Sequence, residues 1–338
     1  MTPSPSPVIT GPSDIDALIP ATVGDLPVVA VGNQAFTGTQ GTNITVSFPS
    51  NLTTIDAYGF YASYLSSLNL PSTVTAVGDY GFFGSTVTNV VISNGLTWIG
   101  NYEFAYSALE TISLPPSLTI IEDSSFEYCT LLKSITLPDT LTTLGDSAFG
   151  SCWTLSTVEI PASVTNMAAD AFNNSTNLVA INVSSTNLYY SSSDGVLFNK
   201  SQTDLLEYPT GLSGAYTIPS TVTTIWDGAF NNCIGLTEVT LPENLTTIEA
   251  GAFLGAGKLT AVTLPSNVSS IQDQALQACT SMTRATFTGN APKSFGTDVF
   301  YSTAKGFTIY YPSTASGFTT PTWQGYPSKP YNNNTGGQ

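Results

Sequence analysis

The sequence predicts a repeat solenoid that is rich in β-strands and has few or no long helices. A turn residue, usually proline, recurs every 22 or 23 residues with one longer step, at Pro49, Pro71, Ser93, Pro115, Pro138, Pro161, Ser184, Pro219, Pro242 and Pro265. Eleven residues after it stands a Phe, replaced once by Leu, at Phe60, Phe82, Phe104, Phe126, Phe149, Phe172, Phe230, Phe253 and Leu276. No helix-length apolar period is present. Units this short bury their apolar faces only by stacking on one another.

Each coil is predicted to contain two extended segments. The first is a short strand before the proline, as in LTEVTLP at 236–242, with equivalents at 132–138 and 155–161. Proline ends this strand. Apolar residues three and six positions later, such as Leu141 and Leu144, predict a second segment on the opposite side of the coil. The Gly- and Asp-rich stretch before the Phe suits a tight corner.

Composition and charge exclude several classes of function. The chain has 7 basic and 23 acidic residues, a net charge of −16, and no Lys or Arg before Lys133. It therefore lacks the positive charge that nucleic-acid binding needs, and anionic membrane surfaces are disfavoured. No apolar run is long enough for membrane insertion. The start, MTPSPSPVITGPSD, is not an intact secretory signal, so either a signal was removed or export follows another route.

Catalytic and metal chemistry has few candidates. The chain has no His, which excludes His-assisted nucleophiles and His metal sites. Acidic residues recur eight positions after the turn residue, and we interpret them as turn caps. The alternatives are a carboxylate pair at Asp123 and Asp146, which stacked coils would bring to about 5 Å, and a weak Ca²⁺ site with Glu122. The sequence predicts no enzyme, no cofactor and no metal site.

Two other slots of the repeat have structural interpretations. Cys129, Cys152, Cys233 and Cys279 share one slot, where small buried side chains are expected, although a bridge between Cys129 and Cys152 stays open. A threonine ladder four residues after the turn is predicted to stack, its hydroxyls bonding to one another. Ice binding by this ladder is a minor alternative. The members of the ladder are Thr53, Thr75, Thr97, Thr119, Thr142, Thr165, Thr223, Thr246 and Ser269.

The repeat pattern resembles a known family. Leu-x-x-Ile-x-Leu-Pro-x-x-Leu-Thr-x-Ile-Gly-x-x-Ala-Phe-x-x-Cys-x-x-Leu, over roughly residues 15 to 290, is similar to the BspA-type leucine-rich repeat. The resemblance implies a right-handed leucine-rich-repeat horseshoe with a parallel concave sheet and short extended or 3-10 segments on the other side. Members are mostly surface or secreted proteins of bacteria and some protists, and several are adhesins. Ser93 and Ser184 depart from the pattern by replacing the turn proline.

The domain organisation follows from the repeat and the resemblance. We predict a linker or leader remnant at 1–14 and one solenoid at 15–288, with a longer, irregular repeat at 184–218. A C-terminal capping unit is expected at 289–329 and a flexible tail at 330–338.

The candidate binding residues are aromatic, because affinity in interfaces concentrates in aromatic and Arg anchors and Arg is nearly absent. The primary candidate is a row at one slot of three successive coils, Tyr58, Tyr80 and Tyr102, with Trp98, Tyr61 and Phe83 close in the repeat. If these side chains point outward they form a binding platform, and if they point inward they only pack the corner. The irregular repeat is the second candidate, with Tyr189, Tyr190 and Phe198. The polar outward positions of the predicted concave sheet rank third.

The functional prediction rests on the resemblance. We expect an adhesin-like, non-enzymatic module that is extracellular or at the cell surface and binds a host or microbial surface protein or polysaccharide. The alternative is a structural spacer or a self-assembling sheath component. A monomer is expected if the capping unit covers the last strand edge, and head-to-tail self-association if it does not.

Overall fold

The computed structural model describes residues 15–38, 44–168 and 170–332, and every regular element in them is a β-strand. The chain divides into two compact units, residues 1–178 with 183–188 and residues 179–182 with 189–338. Within each unit, successive coils pair through parallel strands. The prediction of a strand-built solenoid with few or no helices is confirmed. The predicted segment 1–14 and the tail from 333 lie outside the described residues.

The strands up to residue 167 are short. They are β1 (Ile15–Leu18), β2 (Thr22–Val23), β3 (Leu26–Pro27), β4 (Ala30–Val31), β5 (Ile44–Ser47), β6 (Thr54–Ile55), β7 (Leu65–Asn69), β8 (Ala76–Val77), β9 (Asn89–Val91), β10 (Trp98–Ile99), β11 (Thr111–Ser113), β12 (Ile120–Ile121), β13 (Thr143–Leu144), β14 (Thr157–Ile160) and β15 (Asn166–Met167).

The remaining strands begin at residue 180. They are β16 (Ala180–Val183), β17 (Tyr190–Ser193), β18 (Val196–Asn199), β19 (Asp204–Glu207), β20 (Gly214–Thr217), β21 (Thr224–Ile225), β22 (Leu236–Thr240), β23 (Thr247–Ile248), β24 (Ala261–Leu264), β25 (Ser270–Ile271), β26 (Arg284–Phe287), β27 (Ser294–Phe295), β28 (Thr308–Pro312), β29 (Thr322–Trp323) and β30 (Tyr326–Tyr331).

The first unit contains the two predicted kinds of strand. Strands before the turn residue form the sheet β1-β5-β7-β9-β11, and strands after it form β4-β6-β8 and β10-β12-β13-β15. The paired residues lie one repeat apart, as in Ile120 with Thr143. Equivalent side chains of neighbouring coils are therefore stacked at the coil spacing.

One predicted strand does not form. Residues 132–138 have no strand assignment, although Ile135 and Leu137 are buried as an inward set would be. The step between turn residues lengthens here, from 22 residues before Pro115 to 23 after it. Regular pairing of the strands before the turn residues stops at β11, whereas the strands after the turn residues still pair across the longer step, as β12 does with β13.

A ladder of stacked Phe rings forms the core of the first unit. Consecutive rings lie 4.9 to 5.6 Å apart between centroids and are parallel within 9°. All except the first ring are fully buried. The ladder contains Phe36, Phe60, Phe82, Phe104, Phe126, Phe149 and Phe172.

The four Cys residues are buried and free. The thiols of Cys129, Cys152 and Cys279 donate to the Phe carbonyl of the preceding coil, at 3.1, 3.2 and 3.3 Å. Burial raises the pKa of Cys129 and of Cys279 to about 12. These residues act as small core side chains, as predicted, and the structure contains no bridge between Cys129 and Cys152.

The irregular repeat forms an antiparallel hairpin in the second unit. β17 pairs with β18 and β18 with β19, and β19 then returns to parallel pairing with β21. The turn is Asp194-Gly195, with φ of 52° and 79°. Both residues have the positive φ of a two-residue type I′ hairpin, in which Asp-Gly is a preferred pair. A Cβ at Gly195 would lie 2.9 Å from the Cα of Ala180, so a larger residue does not fit.

The predicted capping unit continues the sheet of the second unit in the order β24-β26-β28-β30-β29. Trp323 packs against Phe287, Phe295 and Phe318, and its indole N–H donates to the Gly317 carbonyl at 2.8 Å. β30 runs to Tyr331, two residues beyond the predicted boundary at 329. The Tyr331 hydroxyl donates to the Phe287 carbonyl, which holds this end against the core.

Candidate functional site

The three tyrosines predicted as the primary site form a continuous stack on the first unit. Tyr58 and Tyr80 lie 4.9 Å apart between ring centroids with 3° between their planes, and Tyr80 and Tyr102 lie 4.9 Å apart with 5°. All three side chains are half-buried. We call these three residues the tyrosine row.

The stacking decides which part of each ring a partner can reach. Both faces of Tyr80 are covered by Tyr58 and Tyr102, so its exposed part is the ring edge with its hydroxyl. The row therefore presents phenol edges at the coil spacing, and only its two end rings have an uncovered face. Such a surface donates and accepts hydrogen bonds at regular intervals while keeping apolar flanks.

A second row of aromatic side chains lies beside the first. Tyr61 stacks on Phe83 at 5.0 Å, and each ring is tilted against the tyrosine row at 5.6 Å. The row continues through a tilted contact of 5.2 Å to Tyr106, which stacks on Tyr128 at 4.4 Å. Trp153 stands edge-on to Tyr128 at 6.3 Å. We call Tyr61, Phe83, Tyr106, Tyr128 and Trp153 the second row, and both rows together the aromatic surface.

Five tyrosines of this surface have a left-handed backbone. Their φ values lie between 54° and 60°, at Tyr58, Tyr80, Tyr102, Tyr106 and Tyr128. In other coils the slot of the tyrosine row has the same conformation but holds Ser124, Ser147, Gly228, Gly251 or Gln274. A bulky residue with positive φ is uncommon and costs about 1–2 kcal/mol. Because Gly, Ser or Gln fills the slot in these other coils, the fold does not require tyrosine there, and three bulky tyrosines at such positions point to a role for the side chains.

Carboxylates lie among the rings. Burial raises the pKa of Tyr80, and the charges of Tyr102, Tyr58 and Asp79 add to the effect. Burial likewise raises the pKa of Tyr106, with the charge of Glu127 as the next cause. Lys133 forms an ion pair with Glu110 at 2.7 Å, and no Lys or Arg precedes Lys133 in the sequence. The aromatic surface is therefore acidic.

The other predicted candidates are distributed differently. Trp98 is half-exposed in β10 and makes no ring contact with the tyrosine row in the described structure. Tyr189 is 53% exposed and Tyr190 half-exposed, whereas Phe198 is fully buried in the core of the second unit. Phe198 is thus inaccessible to a ligand, and the hairpin presents only its two tyrosines.

The outward positions of the strands before the turn residues are polar and exposed. Ser134, Thr136 and Thr263 are exposed, and Ala261 is half-buried. A shallow groove in the second unit is lined by such residues together with Glu238 and Arg284. This face has no aromatic anchor among its lining residues and remains the third candidate.

Two of the acidic residues at the corner slot accept a backbone N–H from the corner of the next coil. The Asp123 carboxylate accepts the backbone N–H of Asp146 at 2.9 Å, and Asp273 accepts that of Thr297 at 2.6 Å. These bonds from Thr297 hold the pKa of Asp273 below its usual value. The predicted capping role fits these contacts. The described residues contain no group of three or more Cys, Asp or Glu side chains arranged to hold a metal ion.

The threonine ladder bonds to the backbone rather than to itself. The hydroxyls of Thr119, Thr142 and Thr246 donate to carbonyls of the preceding coil at 2.9, 3.0 and 3.0 Å. The expectation that neighbouring hydroxyls bond to one another is wrong at these positions, because the carbonyl lies directly below each hydroxyl. The donors are already used inside the coil stack, which leaves fewer for ordered water.

A buried acid lies under the tyrosine row. Glu103 is fully buried where other coils hold Gly81, Ser125 or Ala148, and one carboxylate oxygen accepts the Gly100 N–H at 2.8 Å. The other oxygen has no hydrogen-bond partner among the described residues. Burial raises the pKa of Glu103 well above its usual value, since desolvation disfavours the charged form.

We expect Glu103→Gln to make stability less dependent on pH. Because the folded-state pKa is raised, the unfolded chain loses this proton first, and stability present at low pH is lost as pH rises above the ordinary Glu pKa of about 4.3. The neutral amide removes that loss. Urea unfolding between pH 4 and 8 should show a flatter profile for the variant, with Glu159→Gln as an exposed control. Parallel profiles for the wild type and Glu103→Gln would contradict the prediction.

The sequence model of a family described as the BspA type leucine-rich repeat region matches residues 29–131, 97–213 and 208–325, in 6 copies. No curated protein is significantly similar to the chain. The described residues include no helix long and apolar enough to cross a membrane.

Several crystal structures of bacterial proteins are similar in fold. A leucine-rich repeat protein from Eubacterium ventriosum is 29% identical with a TM-score of 0.65, over 74% of this chain and 67% of that one. The pneumococcal vaccine antigen PcpA is 24% identical with a TM-score of 0.59, over 88% and 84%. A leucine-rich cell surface protein from Faecalibacterium prausnitzii is 22% identical with a TM-score of 0.60, over 92% and 90%.

Proposed function

The chain belongs to the family of BspA-type leucine-rich repeats, and from this premise we propose that it is a non-enzymatic binding module, adhesin-like, displayed at the cell surface or secreted. Its contact surface is the aromatic surface of the first unit. The partner is a protein or polysaccharide of a host or microbial surface.

The backbone conformation of the five surface tyrosines carries this proposal. Each tyrosine occupies a left-handed position that the fold fills with small or polar residues in other coils. Stacking of each aromatic pair contributes about 0.5–1.5 kcal/mol, which offsets part of the backbone cost without explaining why tyrosine was chosen over glycine. A binding surface that needs amphipathic side chains at the coil spacing accounts for the choice.

The proposed location is supported by the similar structures. One is described as a cell surface protein and another as a vaccine antigen. An extracellular or surface location also suits a chain whose candidate site is a broad exposed face rather than an enclosed pocket.

The test is a triple variant of the tyrosine row, Tyr58→Ser, Tyr80→Ser and Tyr102→Ser. Serine is used because Ser124 and Ser147 hold the same slot with the same backbone. Wild type and variant are compared on polysaccharide arrays and on immobilised extracellular-matrix proteins. Aromatic anchors are often worth about 2 kcal/mol each, so the variant should lose at least about thirtyfold in affinity.

Matched variants separate the candidate surfaces. Tyr301→Ser removes a tyrosine that is 58% exposed on the second unit and should leave binding unchanged. If the double variant Tyr189→Ser with Tyr190→Ser lost binding and the triple variant did not, the binding site would lie on the hairpin. A wild type that binds no probe and forms concentration-dependent oligomers would instead support the spacer or sheath alternative.

A further inference from the structure

An open aromatic corner lies at one end of the second row. Tyr106 and Tyr128 are stacked at 4.4 Å, and the plane of Trp153 stands at 71° to that of Tyr128 with 6.3 Å between centroids. Tyr106 is 50% exposed and Trp153 47% exposed. Unlike the tyrosine row, where ring faces cover one another, Tyr128 and Trp153 meet at a steep angle. The corner therefore leaves ring surface accessible to a partner.

Glu127 directly precedes Tyr128 in the chain and is half-buried, and its backbone carbonyl accepts the Tyr106 N–H at 2.8 Å. Burial is the largest cause that raises the pKa of Tyr106, and the negative charge of Glu127 is the next. The Glu127 carboxylate makes no hydrogen bond or ion pair with the described residues, and Lys133 is paired with Glu110 instead. No Lys or Arg precedes Lys133 in the sequence. An uncompensated carboxylate thus adjoins the aromatic corner.

This combination selects for a positive charge. The face of an aromatic ring is electron-rich and attracts Lys or Arg, with Trp as the strongest partner. A carboxylate beside the rings adds a charged hydrogen-bond acceptor that a planar guanidinium fits well. A neutral polysaccharide makes no use of the charge of Glu127, and an anionic one is repelled by it.

We propose that the corner formed by Tyr106, Tyr128, Trp153 and Glu127 binds an Arg or Lys side chain of a basic segment in a partner protein. The proposal rests on the proposed function, since it specifies the partner class for the same aromatic surface. It commits to a protein partner with exposed cationic side chains, in accord with the acidity of this face.

The experiment measures binding of defined peptides at physiological ionic strength. The probes are a decapeptide of alternating Gly and Arg, its Gly and Lys counterpart, and a neutral Gly and Ser control. The wild type should bind the Arg peptide more tightly than the Lys peptide and should not bind the neutral one. Trp153→Ala and Glu127→Gln should each weaken binding by about fivefold to thirtyfold, the range expected for a partly desolvated cation contact.

Net charge needs a separate control, because an acidic protein attracts basic peptides without a specific site. Glu159→Gln changes the charge by the same amount at an exposed position of β14 in the same unit and should leave the affinity unchanged. Trp153→Tyr should retain part of the affinity. Thermal unfolding of each variant confirms that the coils remain intact.

Two outcomes would overturn the proposal. If Glu127→Gln and Glu159→Gln weakened the affinity for the basic peptides equally, the binding would be explained by general charge attraction. If the wild type bound neither basic peptide, the proposed cation site would be wrong. Neither result bears on the tyrosine row, whose triple variant is measured on polysaccharides and matrix proteins, so failure of this inference is distinguishable from failure of the proposed function.

Discussion

Replacing Phe126 with alanine is expected to lower the free energy of unfolding by about 3–5 kcal/mol, the range for truncating a buried Phe. The ring is fully buried and stacks on both neighbours, at 5.5 Å from Phe104 and 5.0 Å from Phe149. Truncation removes two aromatic contacts and leaves a cavity inside the ladder. The neighbouring coils are held at their spacing by backbone pairing, so they collapse little into the space.

Phe126→Leu is the matched variant, because Leu276 fills the same slot in the second unit and is fully buried there. Leucine keeps most of the apolar volume and should lose less than half as much stability as alanine. Urea unfolding followed by circular dichroism measures both variants. If alanine cost no more stability than leucine, the stacked rings would not hold the core together, and the prediction would be wrong.

The ladder could be predicted from sequence because its signal is periodic. A Phe that recurs at one slot must fall at the same place in every coil, whatever the exact strand boundaries are. The missing strand at 132–138 shows the limit of this reasoning. Its residues fit the pattern and Ile135 and Leu137 are buried, but the pattern predicts burial and not whether the backbone pairs regularly with the neighbouring coil.

The hairpin of the irregular repeat had a sequence signal that the repeat pattern obscured. Asp194-Gly195 follows three serines and precedes Val-Leu-Phe, which is typical of a two-residue hairpin turn. Once this hairpin is recognised, Phe198 falls on the strand whose residues Val196, Leu197 and Phe198 are all buried. The expectation that Phe198 is available to a ligand is wrong, because composition alone does not show which strand is buried in the core.

The candidate site was predicted only in part. The tyrosine row recurs at one slot of the repeat and is therefore visible in the sequence, whereas the residues of the second row occupy different slots. Tyr61 and Phe83 stand twelve residues after the turn residue, but Tyr106 and Tyr128 stand thirteen after it. The two pairs therefore occupy different slots in the sequence, although in the structure the ring centroids of Phe83 and Tyr106 lie 5.2 Å apart. The left-handed backbone was also invisible, because it arises from hydrogen bonds to the next coil, such as Tyr80 N–H to the Asn101 carbonyl.

The oligomeric state is expected to depend on the outer edge of β30. At Ser328 the outward backbone N–H of β30 already has a partner, because it donates to the Pro321 carbonyl. The Ser328 hydroxyl donates to the Thr319 carbonyl. N–H groups alternate in direction along a strand, so position 330 is the next one facing outward, and Pro330 has no N–H. Lys329 is exposed between them. Proline and lysine are residues that protect sheet edges from pairing with other chains.

We therefore expect the wild type to be monomeric and the double variant Lys329→Thr with Pro330→Thr to associate. The substitutions restore an outward N–H, remove a charge and favour an extended strand, so the edge becomes available to a second copy. Size-exclusion chromatography with light scattering, over a hundredfold range of protein concentration, should show one mass for the wild type and a rising average mass for the variant.

The control is Pro292→Thr with Lys293→Thr, which makes the same chemical change outside any strand. It should remain monomeric, because position 292 lies in no strand and pairs with no neighbouring strand. A wild type whose mass rises with concentration would show that the cap fails to close the sheet and would favour the self-assembling alternative. A double variant that stays monomeric would place the protection elsewhere, in the short β29 strand that pairs with Tyr326 and Pro327 and covers the beginning of β30.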